Sequence, residues 1–172
     1  SLASETRVEN SMRRILYVLG QFSQATPKSM RTVVDTIGNS GFNVVVLSFL
    51  QASVVGGKLA LLYNGNEFSS LSSDVPTLLA RLRSGFTVRK RIMLSIGGWQ
   101  HLPTFEAIRS FGVSAFVRQL TQEVIQPLGL DGIDLDLEPQ KGGARQCRAA
   151  QYEYGKVLAR LTKEYKHMQP TE

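Results

Sequence analysis

The segment that decides the fold reads Leu130-Asp131-Gly132-Ile133-Asp134-Leu135-Asp136-Leu137-Glu138. Alternate residues of a β-strand share a face, so this pattern places three carboxylates on one side of a strand and three aliphatic side chains on the other. We expect the aliphatic side chains to face covering helices and the acids to share a buried face. Like charges at this spacing cannot all ionise, so the pKa of at least one acid is expected to be raised. A folded protein tolerates such a row mainly where catalysis or a metal ion requires it.

The rest of the chain alternates predicted strands with predicted helices. The strands are expected at Arg14–Phe22, Asn43–Leu50, Arg91–Ile96 and Gly132–Glu138. The helices are expected at Pro27–Ile37, from Val75 or Pro76 to Arg83 after a capping Asp74, at Thr104–Ile125 with a break near Gly112, and at Ala144–His167. This βαβαβαβα order calls for parallel strands with right-handed crossovers. The segment Gln51–Ser73 is rich in Gly, Ser and Asn and is predicted to be a long loop, functional or mobile.

Two folds fit this alternation: a small doubly wound sheet and part of a (β/α)8 barrel. Composition and periodicity do not distinguish them. The polar residues gather at the carboxyl ends of the third and fourth predicted strands, where the active site lies in both folds. The carboxyl ends of these strands are therefore the predicted site.

The bulk composition is that of a globular domain. The chain has 172 residues, of which 42% are hydrophobic and 20% charged, enough for one domain with a sizeable core. No apolar run is long enough to cross a bilayer, and no signal-peptide pattern opens the chain. The net charge of +6 comes largely from basic residues spread along predicted helix faces, which favours solvated surfaces over a nucleic-acid interface. We expect neither nucleic acid nor a membrane as a partner.

Acid catalysis and metal binding are the two chemistries that an acidic strand suggests. An exposed row of acids is disfavoured, because a strand inside an α/β unit is covered on both sides. A hard cation would need more oxygen ligands converging from other segments, and none of the first three predicted strands has an acid at its carboxyl end. Glycosidase-type acid catalysis is therefore favoured, and no metal ion or other cofactor is expected.

The acidic strand resembles the Asp-x-x-Asp-x-Asp-x-Glu signature that family 18 glycoside hydrolases carry on the fourth strand of their catalytic barrel. The matching residues are Asp131, Asp134, Asp136 and Glu138, with Gly132 also as in the family. Two further matches follow the family's order: Ser95-Ile96-Gly97-Gly98 resembles the Ser-x-Gly-Gly motif of the third strand, and Ser48-Phe49 resembles the end of the second. The resemblance implies an α/β fold of four consecutive βα units with parallel strands, half of a (β/α)8 TIM barrel. Residues 1–172 would then form a single partial catalytic domain.

The resemblance also implies a chitinase-type enzyme that hydrolyses β-1,4 bonds of N-acetylglucosamine polymers and uses the substrate itself as the nucleophile. Glu138 would protonate the glycosidic oxygen, and the 2-acetamido carbonyl would attack the anomeric carbon. Asp136 would orient the acetamido N–H and Asp134 would share a proton with Asp136, whereas Asp131 faces elsewhere and would be structural. The alternatives are an endo-β-N-acetylglucosaminidase acting on glycoproteins, a non-catalytic sugar-binding relative, and an inactive assembly module. The sugar-binding relatives usually lack the glutamate that Glu138 supplies.

Further candidates for substrate binding follow the predicted strands. Gly97 and Gly98 would let the backbone pass close to the carboxylates or the sugar. Trp99 follows them at the mouth of the cleft, where an indole could stack on a sugar ring. Tyr17 and Phe49 could line the same floor, although core packing is the expected role of both. His101, in the loop after the third strand, is expected to be solvated.

Half a barrel leaves part of the family's site unaccounted for. A complete barrel has eight strands and about 250 residues, and the Tyr and Trp that later strands contribute in the family have no counterpart here. The edges of the first and fourth strands would be unpaired, which invites association. We therefore expect a fragment of a longer protein, or a half barrel that self-associates or pairs with a chain completing it. The resemblance further implies a secreted or extracellular protein with a chitooligosaccharide as its ligand.

Overall fold

The computed structural model describes residues 13–19, 27–63, 66–67, 79–80, 83, 90–99, 101–138 and 144–168. Its strands are β1 (Ile15–Leu19), β2 (Val44–Val55), β3 (Lys58–Tyr63), β4 (Asn66–Glu67), β5 (Arg91–Gly98) and β6 (Gly132–Leu137). Its helices are α1 (Pro27–Asn39), α2 (Leu102–Phe111), α3 (Val113–Leu120), α4 (Gln126–Leu128) and α5 (Ala144–Met168), with a π-helical turn at Thr121–Ile125 between α3 and α4. Of the predicted helix at 75–83, the structure describes residues 79, 80 and 83, and the others lie outside the described residues. Residues 20–22 of the predicted first strand also lie outside them.

Four parallel strands form the body of the sheet in the order β1, β2, β5, β6. Their amino ends are aligned, since Val44 pairs with both Ile15 and Arg91. A helix lies between β1 and β2, α2 and α3 lie between β5 and β6, and α5 follows β6. The predicted parallel βα order is therefore confirmed. No described strand pairs with the outer edge of β1 or of β6.

The segment after the second predicted strand is a β-hairpin, so the prediction of a loop at Gln51–Ser73 is wrong for most of its described part. Strand β2 continues to Val55, turns at Gly56-Gly57 and returns antiparallel as β3, against which β4 pairs. Both glycines have positive φ, 58° and 75°, as the tight turns that join hairpin strands require. The first part of β2, Val44–Leu50, thus pairs with parallel strands, and its last part, Leu50–Val55, pairs with β3 as one arm of a hairpin in the same sheet.

The core lies between one face of the sheet and the helices. Side chains on the helix-covered face of the parallel strands pack against α2, α3 and α5. The fully buried residues that strands and helices contribute to this core include Val45, Ile92, Leu94, Ile96, Phe105, Ile108, Phe116 and Leu161. Each such side chain contributes about 1.5–3 kcal/mol through removal from water. The predicted break at Gly112 is confirmed, since α2 ends there and α3 begins at the next residue. None of the helices in the described ranges has the length and apolar character of a membrane span.

The amino ends of the strands carry stabilising polar contacts. Lys90, 2% exposed, donates from Nζ to the carbonyl oxygens of Ser40, at 3.1 Å, and Phe42. Burial, followed by the charge of Arg14, lowers the pKa of Lys90. Both carbonyls belong to the segment between α1 and β2. Lys90, which precedes β5, therefore holds the chain in place just before β2 begins. These contacts stabilise the end of the sheet opposite the predicted site, as is usual for this kind of α/β fold.

Candidate active site

The acids lie at the carboxyl end of β6, and residues of two other strands interact with one of them. Asp134 and Asp136 lie on the strand and Glu138 follows its last residue. Ser95 of β5, which pairs with Asp134 in the strand register, donates its hydroxyl to Asp134 Oδ2 at 2.7 Å. Tyr17 of β1 also hydrogen-bonds to the Asp134 side chain. Strands β1, β5 and β6 therefore converge on one carboxylate.

Asp136 lies between the other two acids and carries the raised pKa that the row predicted. Burial raises the pKa of Asp136 most, followed by the negative charges of Glu138 and Asp134 and by a hydrogen bond to Glu138. Asp136 is therefore the member of the row whose protonated form its two neighbours favour.

Tyr17 faces the acids, so the expectation that it packs in the core is wrong. Its side chain is 51% exposed. Burial of its hydroxyl raises the Tyr17 pKa first, and the charges of Asp134 and Asp136 and the hydrogen bond to Asp134 raise it further. The sequence predicted Tyr17 as a substrate-binding candidate but gave no indication of its bond to an acid, because that contact joins strands far apart in the chain.

Two glycines allow the backbone of β5 to approach its neighbours closely. Gly97 has φ 115°, and a Cβ built on it would lie 2.1 Å from the backbone carbonyl oxygen of Asp136. Gly98 has φ 95°, and a Cβ there would lie 2.9 Å from the ring of Phe49. Both positions therefore require glycine, on grounds of backbone conformation and of space. Phe49 is partly buried, with its ring against Gly98.

The segment after β5 forms a turn that presents Trp99. The backbone N–H of His101 donates to the carbonyl oxygen of Gly98 at 3.2 Å, which closes the turn. Trp99 is 53% exposed, as expected for a residue at the mouth of a cleft. The expectation that His101 is solvated is wrong, because its ring is partly buried and its Nε2 lies 2.7 Å from Nε2 of Gln51. Gln51 was not predicted, since no motif marks it.

Asp131, the first acid of the signature, lies apart from the row. Its Oδ2 accepts the backbone N–H of Ile92 at 2.8 Å and lies 3.8 Å from Nη2 of Arg83, and its own N–H donates to the carbonyl of Ile92 at 2.7 Å. It therefore ties the start of β6 to β5. Gly132, the next residue, is buried, and a Cβ built on it would lie 3.5 Å from the side chain of Met93.

The three acids are half-buried, which differs from the buried face that the sequence predicted. The reason is the position of β6 at the edge of the described sheet, where no further strand covers it. In the described ranges, no group of three or more His, Cys, Asp or Glu side chains has a geometry that could hold a metal ion. The arrangement can bind and release protons beside an open, polar surface.

The fold and the acidic row together define the class of protein. The chain belongs to the glycosyl hydrolases of family 18, whose sequence model matches residues 14–171. The predicted family is confirmed. No curated relative matches the chain by sequence.

Solved chitinases share the fold. A GH18 chitinase from Pseudoalteromonas aurantia is similar with a TM-score of 0.66 and 19% identity, over 93% of this chain and 53% of that one. The chitinase domain of the spore coat protein CotE from Clostridium difficile is similar with a TM-score of 0.51 and 18% identity, over 96% of this chain and 42% of that one. The likeness confirms the predicted half of a (β/α)8 barrel. The chain spans about half the length of these chitinases.

Proposed function

We propose that this chain carries the acid catalyst of a retaining glycosidase that hydrolyses β-1,4 bonds in N-acetylglucosamine polymers. The observation that carries the proposal is the row of Asp134, Asp136 and Glu138, whose central member has its pKa raised by burial and by the charges of its two neighbours. A carboxyl group with a raised pKa keeps its proton to higher pH, which suits a site of general acid catalysis. Family membership and the likeness to chitinases support the substrate class.

In the first step, Glu138 gives its proton to the glycosidic oxygen as the bond from that oxygen to the anomeric carbon breaks. The carbonyl oxygen of the substrate's own 2-acetamido group forms the new bond to the anomeric carbon, which gives an oxazolinium ion. Water then attacks the anomeric carbon on the side opposite the acetamido oxygen, the bond from the anomeric carbon to that oxygen breaks, and the attacking water transfers a proton to Glu138. Two inversions return the original configuration, and the substrate-supplied nucleophile distinguishes this route from the usual pair of carboxylates.

Asp136 is suited to direct the acetamido group. The charge of Glu138 helps to raise its pKa, so protonation of Glu138 would favour the ionised form of Asp136. The ionised Asp136 would then accept the acetamido N–H and stabilise the positive charge that develops on the oxazolinium ring.

Asp134 would stabilise the protonated form of Asp136, because its charge raises the pKa of that neighbour. Ser95 donates to it at 2.7 Å and Tyr17 bonds to it from β1. Two such bonds fix the carboxylate and disperse its charge, since hydrogen bonds to charged groups are stronger than neutral ones. We infer that Trp99, exposed just after the carboxyl end of β5, adds a stacking surface for a sugar.

The test uses Glu138→Gln, with Glu153→Gln as a matched control. Glu153 is exposed on α5 and pairs only with Lys156 among the contacts described for it, so its substitution removes a carboxylate of the same kind from a remote surface. Hydrolysis is followed with a chromogenic chitobioside, and binding with chitooligosaccharides by calorimetry. We expect Glu138→Gln to abolish hydrolysis and keep binding, and Glu153→Gln to keep both. Hydrolysis that survives in Glu138→Gln, or a wild-type chain that binds no chitooligosaccharide, would contradict the proposal.

A further inference from the structure

Strand β2 has an open edge over its last part, Leu50–Val55. On one side this part pairs with β3, whereas the pairing of β2 with β5 on its other side ends at Leu50, opposite Ile96. No strand in the described ranges pairs with β2 beyond Leu50 on that second side. Helix α2 lies there instead, since the backbone N–H of Ala52 donates to Oγ1 of Thr104 at 3.3 Å. The open edge therefore faces a helix.

The register shows which backbone groups this edge presents. In an antiparallel pair, residues that exchange both hydrogen bonds with the partner strand alternate with residues whose N–H and C=O point away from it. The bond from Ala52 to Thr104 shows that Ala52 points away from β3. Val54 lies two residues further along an unbroken register, so it points the same way. The N–H and C=O of Val54 and the C=O of Ala52 are therefore directed toward the side of α2.

A groove of about 510 Å³ lies between this edge and α2. The volume falls within the roughly 300–1,000 Å³ that is usual for ligand sites. Its apolar lining consists of short side chains, those of Ala52, Val54, Pro103 and Ala107. Ala52 and Ala107 are buried, whereas Val54 is 44% exposed. Because the lining is small and the edge is exposed, the backbone of an extended peptide has room to approach Val54.

Two side chains of opposite charge line the same groove from α2, Glu106 and Arg109. Glu106 Oε1 accepts the hydroxyl of Tyr154 of α5 at 2.7 Å, which leaves its second carboxylate oxygen available. Within the described part of the chain, no ion pair or hydrogen bond engages Arg109. Residues three apart on a helix are neighbours, with Cβ atoms about 5–6 Å apart. Alternate side chains of a strand share a face at about 6.5 Å, so the two charges match a basic and an acidic residue at alternate positions of a strand.

We propose that the open edge at Ala52–Val55 and the facing side of α2 form a docking site for an extended peptide of another protein. The peptide adds to β2 as a further strand and carries a basic and an acidic residue at alternate positions. Backbone bonds to Val54 and Ala52 supply affinity, and Glu106 and Arg109 select the sequence, as in other cases of strand addition. The site uses none of the three acids, so the inference does not depend on the proposed function.

The probes are amidated hexapeptides with fluorescein at the amino end, and binding to the whole chain is followed by fluorescence anisotropy. TKVDVT and TDVKVT carry the two charges in both orders, which covers the parallel and antiparallel directions of the added strand. TKVKVT and TDVDVT are the like-charged controls. We expect at least one mixed peptide to bind about fivefold more tightly than both controls, the effect of one exposed ion pair. Failure of both mixed peptides to bind, or equal binding by the controls, would overturn the proposal.

Arg109→Glu exchanges one charge of the groove on an exposed position. It should weaken the mixed peptides about fivefold and strengthen TKVKVT by a similar factor, because the groove then offers two carboxylates. Arg118→Glu is the matched control, since Arg118 is exposed on α3 and does not line the groove. Its affinities should equal those of the parent. Equal effects of the two substitutions would show that only net charge matters, which contradicts a sequence-selective groove.

Amide hydrogen exchange tests the backbone geometry in the unaltered chain. The N–H of Val54 should exchange rapidly in the free chain, whereas those of Ser53 and Val55, which pair with β3, should be protected. The bound peptide should slow the exchange of Val54. Val54→Pro removes this N–H from the side away from β3, where an edge strand tolerates proline, and should weaken peptide binding about fivefold. Protection of Val54 in the free chain, or exchange that the peptide does not slow, would refute strand addition.

Discussion

The substitution Gly97→Ala tests the close approach of β5 to the acidic strand. A Cβ at this position would lie 2.1 Å from the backbone carbonyl oxygen of Asp136, and backbone atoms cannot turn aside as a flexible side chain can. The two strands would have to separate by about 1 Å to restore van der Waals contact, which strains a packed sheet. Because Asp136 is the centre of the acidic row, the separation would also displace the groups that raise its pKa.

The expected cost has two parts. The φ of 115° lies where alanine is strained, at about 1–3 kcal/mol. Forcing an additional carbon into a closed contact adds about 1–3 kcal/mol. We therefore expect Gly97→Ala to lower the free energy of unfolding by about 3–5 kcal/mol, near the upper end for single substitutions. A displacement of about 1 Å at a catalytic group should also reduce turnover about a hundredfold.

Gly56→Ala separates the two parts. Gly56 has φ 58°, and no described atom lies within 4 Å of a Cβ built there, so this variant carries only the conformational cost, about 1 kcal/mol. Urea unfolding measures both variants, and an unchanged dependence on urea concentration would show that the comparison concerns the folded state. If Gly97→Ala is no less stable than Gly56→Ala, the close approach of the strands does not have the importance we assign to it.

Three further predictions follow from individual contacts. Because the pKa of Asp136 is raised, the contribution of this residue to stability is present at low pH and is lost as pH rises through that pKa. The melting temperature of Asp136→Asn should therefore increase relative to that of the wild type as pH rises. A difference in melting temperature that does not depend on pH would contradict this. Lys90→Met leaves the carbonyl oxygens of Ser40 and Phe42 without their charged donor and should cost about 2–3 kcal/mol in urea unfolding, whereas wild-type stability would show that the bonds contribute nothing. Tyr17→Phe removes one donor to Asp134 and should lower kcat about tenfold. The melting temperature should change little, because the ring of Tyr17 is half exposed. An unaltered kcat would count against the role of Asp134.

The sequence predicted the parallel strands and the row of acids because both depend on local patterns. A period of two in segment 130–138 determines which side chains share a face, and the βα alternation determines the strand direction. The raised pKa also follows from spacing alone, although not its assignment to Asp136. The break at Gly112 was predictable from one glycine within a helical pattern.

The hairpin could have been predicted from a signal that was present. Gly56-Gly57 separates two runs that are compatible with strands, and the second, Lys58–Tyr63, alternates exposed and buried residues in the structure. A glycine pair between such runs is typical of a two-residue hairpin turn. The abundance of Gly, Ser and Asn across Gln51–Ser73 concealed it, because composition was averaged over a segment that contains both strands and turns.

Contacts between distant segments could not be predicted. The bond from Tyr17 to Asp134 joins β1 to β6, and the pair of Gln51 and His101 joins two strand ends; neither has a motif. Lys90 is the clearest case, since a lysine in a basic stretch is ordinarily solvated and its burial depends on the position of the turn after α1. These contacts arise from the arrangement of the strands, which a single sequence specifies only in outline.

The turn between β2 and β3 leaves room for a fluorescent label. Gly57→Cys would place a dye at the tip of the hairpin, where a built Cβ meets no described atom within 4 Å. Cys147, the only native thiol, would first be changed to serine. Energy transfer from Trp99, the chain's one indole, to that dye would then report the distance between the hairpin tip and the residue that follows β5.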